Sequence, residues 1–238
     1  MMGFDLFVRM NNTPGMTTAP TDSRLLDVAI DHFGRYGLEG ASTRAIAHDA
    51  ATPMSSITYH FGGKAGLYLA AADHIAASIR HHVGPAMAHA AALCGEGGSP
   101  AQARAAIHAI LDGMIQVMLT QETEAMARFI VREQADPTPA FDRIYDGVMR
   151  GTLDRLGALV EQLGEGRIDR AESRLRAITL VGQVLVFRVA RATVMAGMGW
   201  TRIGPDETRA IARTIAAQCD AILDRVAKAS PQPIGEQQ

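Results

Sequence analysis

The segment TPMSSITYHFGGK, residues 52–64, gathers the side chains best suited to chemistry in this chain. Within it stand hydroxyls (Thr52, Ser55, Thr58), a phenol (Tyr59), an imidazole (His60) and an ammonium (Lys64), with Met54 among them and Arg44 a few residues upstream. These groups donate and accept hydrogen bonds and carry positive charge. They form no nucleophile–base pair, and no Cys/His/Asp/Glu spacing of a metal site lies near them. The glycine-rich GEGGSP, residues 95–100, lacks the Lys-Ser/Thr of a phosphate-binding loop. His74 and His81 share a face of one helix, but no acid or cysteine completes a ligand set. The residues point to recognition and not to catalysis, and no cofactor is expected.

Recognition groups need elements to present them. Asp22 or Thr21 caps a first helix in which Leu26, Ala29, Ile30 and Phe33 form one apolar stripe, ended by Gly37. A second, short helix runs from Ser42 to about Ala50. After the joint DAATP comes a third, with Thr52 as its cap and Pro53 at its first position. FGGK ends the third helix and starts a fourth, roughly Lys64 to Val83. Isolated helices this short are marginal in water, so neighbours must hold them, with Ile46 and Ile57 facing Leu26, Ile30 and Phe33. Two short helices across a tight joint, steadied by a preceding one, make a helix-turn-helix. The second of the pair is short because it needs only to enter a DNA major groove and present its N-terminal residues to base edges. The expected DNA-contact set is Arg44, Thr52, Met54, Ser55, Thr58, Tyr59, His60 and Lys64, with Arg44 and Lys64 on phosphates. For His60 a hydrogen bond across the turn is an equal alternative.

The remainder reads as long helices, near 101–119, 122–134, 138–163, 169–198 and 206–228, with no strand of convincing alternation. Residues 1–20 are expected to be a mobile arm, 21–70 the helix-turn-helix domain, 71–228 a helical effector-binding and dimerisation domain, and 229–238 a disordered tail. The domain boundary falls inside the fourth helix, since nothing linker-like interrupts it. Composition sets further bounds. The 238 residues carry a net charge of −2, and Lys64 and Lys228 are the only lysines. Cys94 and Cys219 read as buried thiols of a reducing compartment. The longest uncharged apolar run, 177–187, is too short to span a bilayer. A soluble cytoplasmic protein with no membrane partner is expected.

Residues 22–70 resemble the DNA-binding domain of the TetR family of bacterial regulators, in FGRYG, ASTRAIAHDAA, ITYHF and GGKAGLY. Thr58 stands where the family commonly has tyrosine, and Pro53 replaces its usual serine. MARFIVREQADPTPAFDRIYDGVMR and LVGQVLVFRVARATVMAGMGW are similar to the CecR-like branch. The resemblance implies an all-α homodimer that binds a palindromic double-stranded operator as a repressor and is released by a small-molecule effector. An effector cavity is expected among the helices near 101–119, 122–134, 138–163 and 169–190, with Met114, Met118, Phe129, Tyr145 and Phe187 beside Arg132, Gln183 and Arg188. Ordinary core packing remains the alternative for each methionine, and mutual pairing for the polar groups.

The last two long helices are expected to build the dimer. On the final one the stripe Ile211, Ile215, Cys219, Ile222 and Val226 would meet a partner, an intramolecular core being the alternative. Residues 21–82 hold five positive and six negative side chains, so non-specific attraction to phosphate is weak by count. An all-α small-molecule-binding protein or enzyme without DNA binding, and a helix-turn-helix that binds only proteins, are the competing classes. Salt-dependent binding to upstream DNA separates them.

Overall fold

The computed structural model describes residues 20–95, 97–120 and 123–228. The expected N-terminal arm and C-terminal tail lie outside them. The described residues form an all-helical protein without strands. Its order is α1 (Pro20–Gly40), α2 (Thr43–Asp49), α3 (Met54–Phe61), α4 (Lys64–Leu93), α5 (Pro100–Met118), α6 (Glu124–Ala135), α7 (Pro139–Ile144), a π-turn (Tyr145–Met149), α8 (Arg150–Gly164), α9 (Arg170–Val189), α10 (Arg191–Met198) and α11 (Pro205–Ala227).

Two apolar cores organise these helices. The first takes Leu26, Ile30 and Phe33 of α1, Ile46, Ile57 and the N-terminal half of α4 as far as Val83. It also takes Phe129 of α6, Ile144 of α7 and Val148 of the π-turn. Phe129 stacks on Tyr68 at 4.7 Å and Phe33 meets Tyr68 edge-on at 4.8 Å. The packing therefore does not break near residue 70, where the sequence suggested a boundary; α6 and α7 complete the core under α1–α3. The second core joins the end of α4 at Ala90 to α5, α8, α9 and α11.

Four expected boundaries change. Gly84 and Pro85 do not end α4, which continues to Leu93. Proline removes one helix hydrogen bond, and packing on both sides carries the helix past it. Residues 138–163 are not one uniform helix: a π-turn interrupts them, where Arg80 donates to the Gly147 carbonyl. Residues 169–198 bend by 75° between α9 and α10. Thr52 does not cap α3; Pro53 is the cap residue and offers no side-chain bond. Among the described residues no single helix is long and apolar enough to cross a membrane.

Candidate DNA-reading head and effector cleft

The corner between α2 and α3 is set by local chemistry. The Ser42 hydroxyl accepts from the Ala45 N–H at 3.4 Å and starts α2. At the joint Ala51 takes φ 50°, and the Thr52 N–H donates to the Ala47 carbonyl at 2.9 Å. This turns the chain from α2 into α3 within four residues. Gly62, at φ 70°, closes α3 in the left-handed conformation that favours glycine. Gly66 then lets α4 pass the end of α3, for a Cβ there would lie 1.7 Å from the Phe61 carbonyl oxygen. No side chain fits that space.

With Ile46 and Ile57 buried, the outer face of α3 stands clear. Tyr59 is 85% exposed, and Met54, Ser55, Thr58 and His60 are exposed beside it. The Tyr59 and His60 rings meet edge-on at 4.9 Å. Arg44 is exposed and makes no ion pair among the described residues. Thr52 is half-buried in the joint. Lys64 differs from expectation: its ammonium donates to the Glu39 carbonyl at 2.7 Å, fastening α4 to the end of α1. Phosphate must share that ammonium with the carbonyl.

The near-neutral charge count of this head misleads, because most of its acids are occupied. Asp31 holds Arg128 at 2.7 Å and Arg35, and Asp49 takes His32 at 2.8 Å and His48 at 3.0 Å. Bonds from His48 and His32 hold the Asp49 carboxyl below its usual range. Asp27 accepts from His74 at 3.1 Å, which gives that histidine a structural partner, and Asp73 pairs with Arg143 at 2.8 Å.

The eight residues proposed for the effector do not share one cavity. Phe129 is fully buried in the first core, and Met114 is 6% exposed in the second, with Met118 and Phe187 packed against it. Tyr145 stacks on Phe141 at 5.8 Å beneath the Arg150 guanidinium. Gln183 keeps a buried Oε1 without a partner among the described residues. Arg132 and Arg188 come together at a different place. They line an open cleft of about 560 Å³ between α1, α6 and the α9–α10 bend, with Gly34, Glu124, Arg128, Val131, Val189 and Arg191. Arg132 donates to the Arg35 carbonyl at 3.3 Å. Arg188 donates to the Thr120 carbonyl and the Thr123 hydroxyl, both at 2.5 Å. Glu133, in contrast, has its partners inside the protein: Tyr68 Oη donates to it at 2.5 Å and the Thr138 hydroxyl at 2.9 Å. Burial and this bond push the Tyr68 phenol up. Sequence reasoning noted Arg128, within ARFIVRE, only as a polar group in need of a partner, and missed Arg191. Their spacing to Arg132 and Arg188, four and three, was the available signal.

The dimer expectation for α11 also changes. Ile211, Ile215, Cys219 and Val226 are at most 3% exposed within one chain, and Leu223 rather than Ile222 completes their row. That stripe is the second core. The apolar face left outward belongs to α9: Leu175 at 58%, Ile178 at 49%, Leu185 at 36% and Val189 at 59% exposure, a run spaced by threes, fours and sevens.

Comparison with known proteins agrees with this arrangement. Residues 25–71 match the bacterial regulatory proteins of the tetR family, and residues 103–225 match the C-terminal domain of the HTH-type transcriptional dual regulator CecR. The CecR protein of Shigella flexneri is 31% identical over 225 residues, covering 92% of this chain and 99% of that one. This chain belongs to the TetR family. It is a DNA-binding transcriptional regulator with a CecR-type C-terminal domain, and not an enzyme. Solved structures share the fold at lower identity. A transcriptional regulator from Pseudomonas aeruginosa PAO1 aligns with TM-score 0.62 and 18% identity, over 87% of this chain and 92% of that one. AibR, solved with isovaleryl coenzyme A and operator DNA, aligns with TM-score 0.61 and 15% identity, over 83% and 97%.

Proposed function

We propose that this TetR-family regulator is a cytoplasmic homodimeric repressor that binds a palindromic operator and leaves it when a small molecule binds the helical body. The observation that carries the reading is the face of α3: Tyr59 is 85% exposed while Ile57, on the same helix, is 1% exposed. A helix so oriented presents Met54, Ser55, Thr58, Tyr59 and His60 to base edges, with Arg44, Thr52 and Lys64 at the backbone. The outward apolar face of α9 supports dimerisation, since an apolar row of that length on one helix has no monomeric use. Two reading heads related by a two-fold axis require half-sites one helical turn, about 34–36 Å, or a multiple of it apart.

AibR accommodates an acyl-coenzyme A and operator DNA on the same architecture, and that supports an effector-bound state for this chain. An effector shifts the DNA-bound population only through its differential affinity for the two states, typically ~1–3 kcal/mol. A mobility shift on the intergenic DNA upstream of the gene, titrated with salt and with candidate small molecules, tests the reading. A retarded band that weakens linearly with log salt and disappears with effector supports it. Activation of the adjacent promoter in a reporter assay would reverse the sign assigned here, a sense compatible with a relative named a dual regulator.

A further inference from the structure

The cleft between α1, α6 and the α9–α10 bend holds four guanidinium groups, from Arg128, Arg132, Arg188 and Arg191, against two carboxylates, Glu124 and Asp136. A buried arginine ordinarily comes with a carboxylate, because an uncompensated charge in a low dielectric is costly. Arg188 is 9% exposed, and among the described residues it bonds only neutral oxygens, the Thr120 carbonyl and the Thr123 hydroxyl. Its Nε is buried without a partner there. Burial, and then repulsion from Arg191, hold its guanidinium below the usual range. Glu124 is already taken by Arg128 at 2.6 Å. Among the described residues, positive charge in the cleft thus exceeds what the lining acids neutralise. Val131 and Val189 give the opening apolar walls, and about 560 Å³ suits a small ligand.

We propose that this cleft binds a small organic anion as effector, with Arg188 and Arg191 holding its carboxylate or phosphate and Val131 and Val189 flanking its apolar body. The proposal rests on the ligand-responsive reading for its effect on DNA, though not for the binding itself. The route to the reading head is short. A Cβ at Gly34 would lie 3.1 Å from the Arg128 Cβ and 3.2 Å from the Ala125 carbonyl oxygen, so α1 and α6 cross almost backbone to backbone. Gly34 lines the same cleft. An anion drawn between α6 and α9 bears on the crossing that seats α1, and α1 seats α2 and α3.

The test uses the full-length protein at fixed ionic strength. Hexanoate and hexyl phosphate are compared with 1-hexanol, a neutral match, by thermal unfolding and calorimetry. The expected result is a raised unfolding midpoint with at least one anion and none with hexanol; the better anion identifies the head group. Arg188→Met should abolish binding. Because that change touches a buried site, Arg191→Gln serves beside it: Arg191 is half-buried and makes no ion pair among the described residues. It should weaken anion binding about tenfold or more, as loss of a bond between charged groups does. No binding of either anion, or binding that survives both changes, overturns the proposal. Operator affinity is measured on the same samples. Anion binding that leaves operator affinity unchanged overturns the effector role, whereas a protein that never binds DNA strikes the regulator reading and leaves the anion site to calorimetry.

Discussion

The α2–α3 corner and the α9–α10 bend are both sharp joints with a short helix beyond them, yet they are built in opposite ways. Local chemistry makes the first: a serine cap, a four-residue reversal through Ala51, proline before α3 and glycine after it. Its functional groups point outward and little of the fold leans on them. At the second joint Ala190 is neither glycine nor proline and sits at φ −97°, ψ 30°. No glycine, proline or side-chain cap marks the bend, and the polar groups before it point inward, Arg188 above all. A recognition surface can thus be read from neighbours in sequence, while a binding cleft assembled by tertiary packing cannot.

The strongest way to break this contrast is Phe129→Ala. Phe129 lies in the regulatory half of the chain but fills the core under the head. Its truncation should cost ~3–5 kcal/mol of stability, read by denaturant unfolding, and lower operator binding with it. A loss below about 1 kcal/mol would return the head to independence.

The second test concerns assembly. Ile178→Glu with Leu185→Glu on the outer face of α9 should convert a dimer to a folded monomer in sedimentation, weakening association by ~2 kcal/mol or more. Ile215→Glu should instead unfold the chain, since Ile215 is 2% exposed within one protomer. A folded dimer carrying both α9 changes would put the interface on another face.

At the head the expected pattern reverses. Tyr59→Ala should leave stability within about 0.5 kcal/mol, as exposed positions do, and cost operator binding ~1–3 kcal/mol if the ring touches a base. Equal losses on operator and random DNA would reassign Tyr59 to the backbone. Lys64→Ala is the mixed case. Releasing its bond to the Glu39 carbonyl should cost ~1 kcal/mol of stability. Losing a phosphate contact should lower the slope of log affinity against log salt by about one. An unchanged slope with lowered stability would make Lys64 purely structural.

The smallest effect is acid sensitivity at the α5–α11 joint. Bonds from His108 and Arg104 hold the Asp220 carboxyl below its usual range. A carboxyl with a depressed folded pKa adds stability that is complete above its unfolded value, about pH 4, and is lost as pH falls through the lower folded value. Asp220→Asn should flatten the unfolding midpoint against pH below about 4. It should leave operator binding at neutral pH alone.

The fold was legible in sequence wherever a signal is local. The stripe of α1, the cap at Ser42 and the paired glycines before Lys64 placed the reading head within a residue or two, whereas Gly37 marks a kink in α1, which runs on to Gly40. Buried Ile46 and Ile57 followed from period alone. What escaped was set at a distance. The row on α11 has the same look facing a partner or its own core, and only the position of α5 and α8 decides. Phe129 resembles a pocket residue until Tyr68 and Phe33 are seen around it. Arg128 reads as a polar group in need of a partner, and only the placement of α1 shows that partner to be Asp31.

The shared first core bears on how such regulators diversify. Leu67 to Val83 of α4 and Phe129, Ile144 and Val148 from beyond it close one apolar interior with α1, α2 and α3. A recombination that carried residues 20–70 onto a foreign body would bring an inner surface shaped for side chains left behind. Changing operator preference by substitution on the outer face of α3 therefore disturbs the packing less than exchanging the whole head.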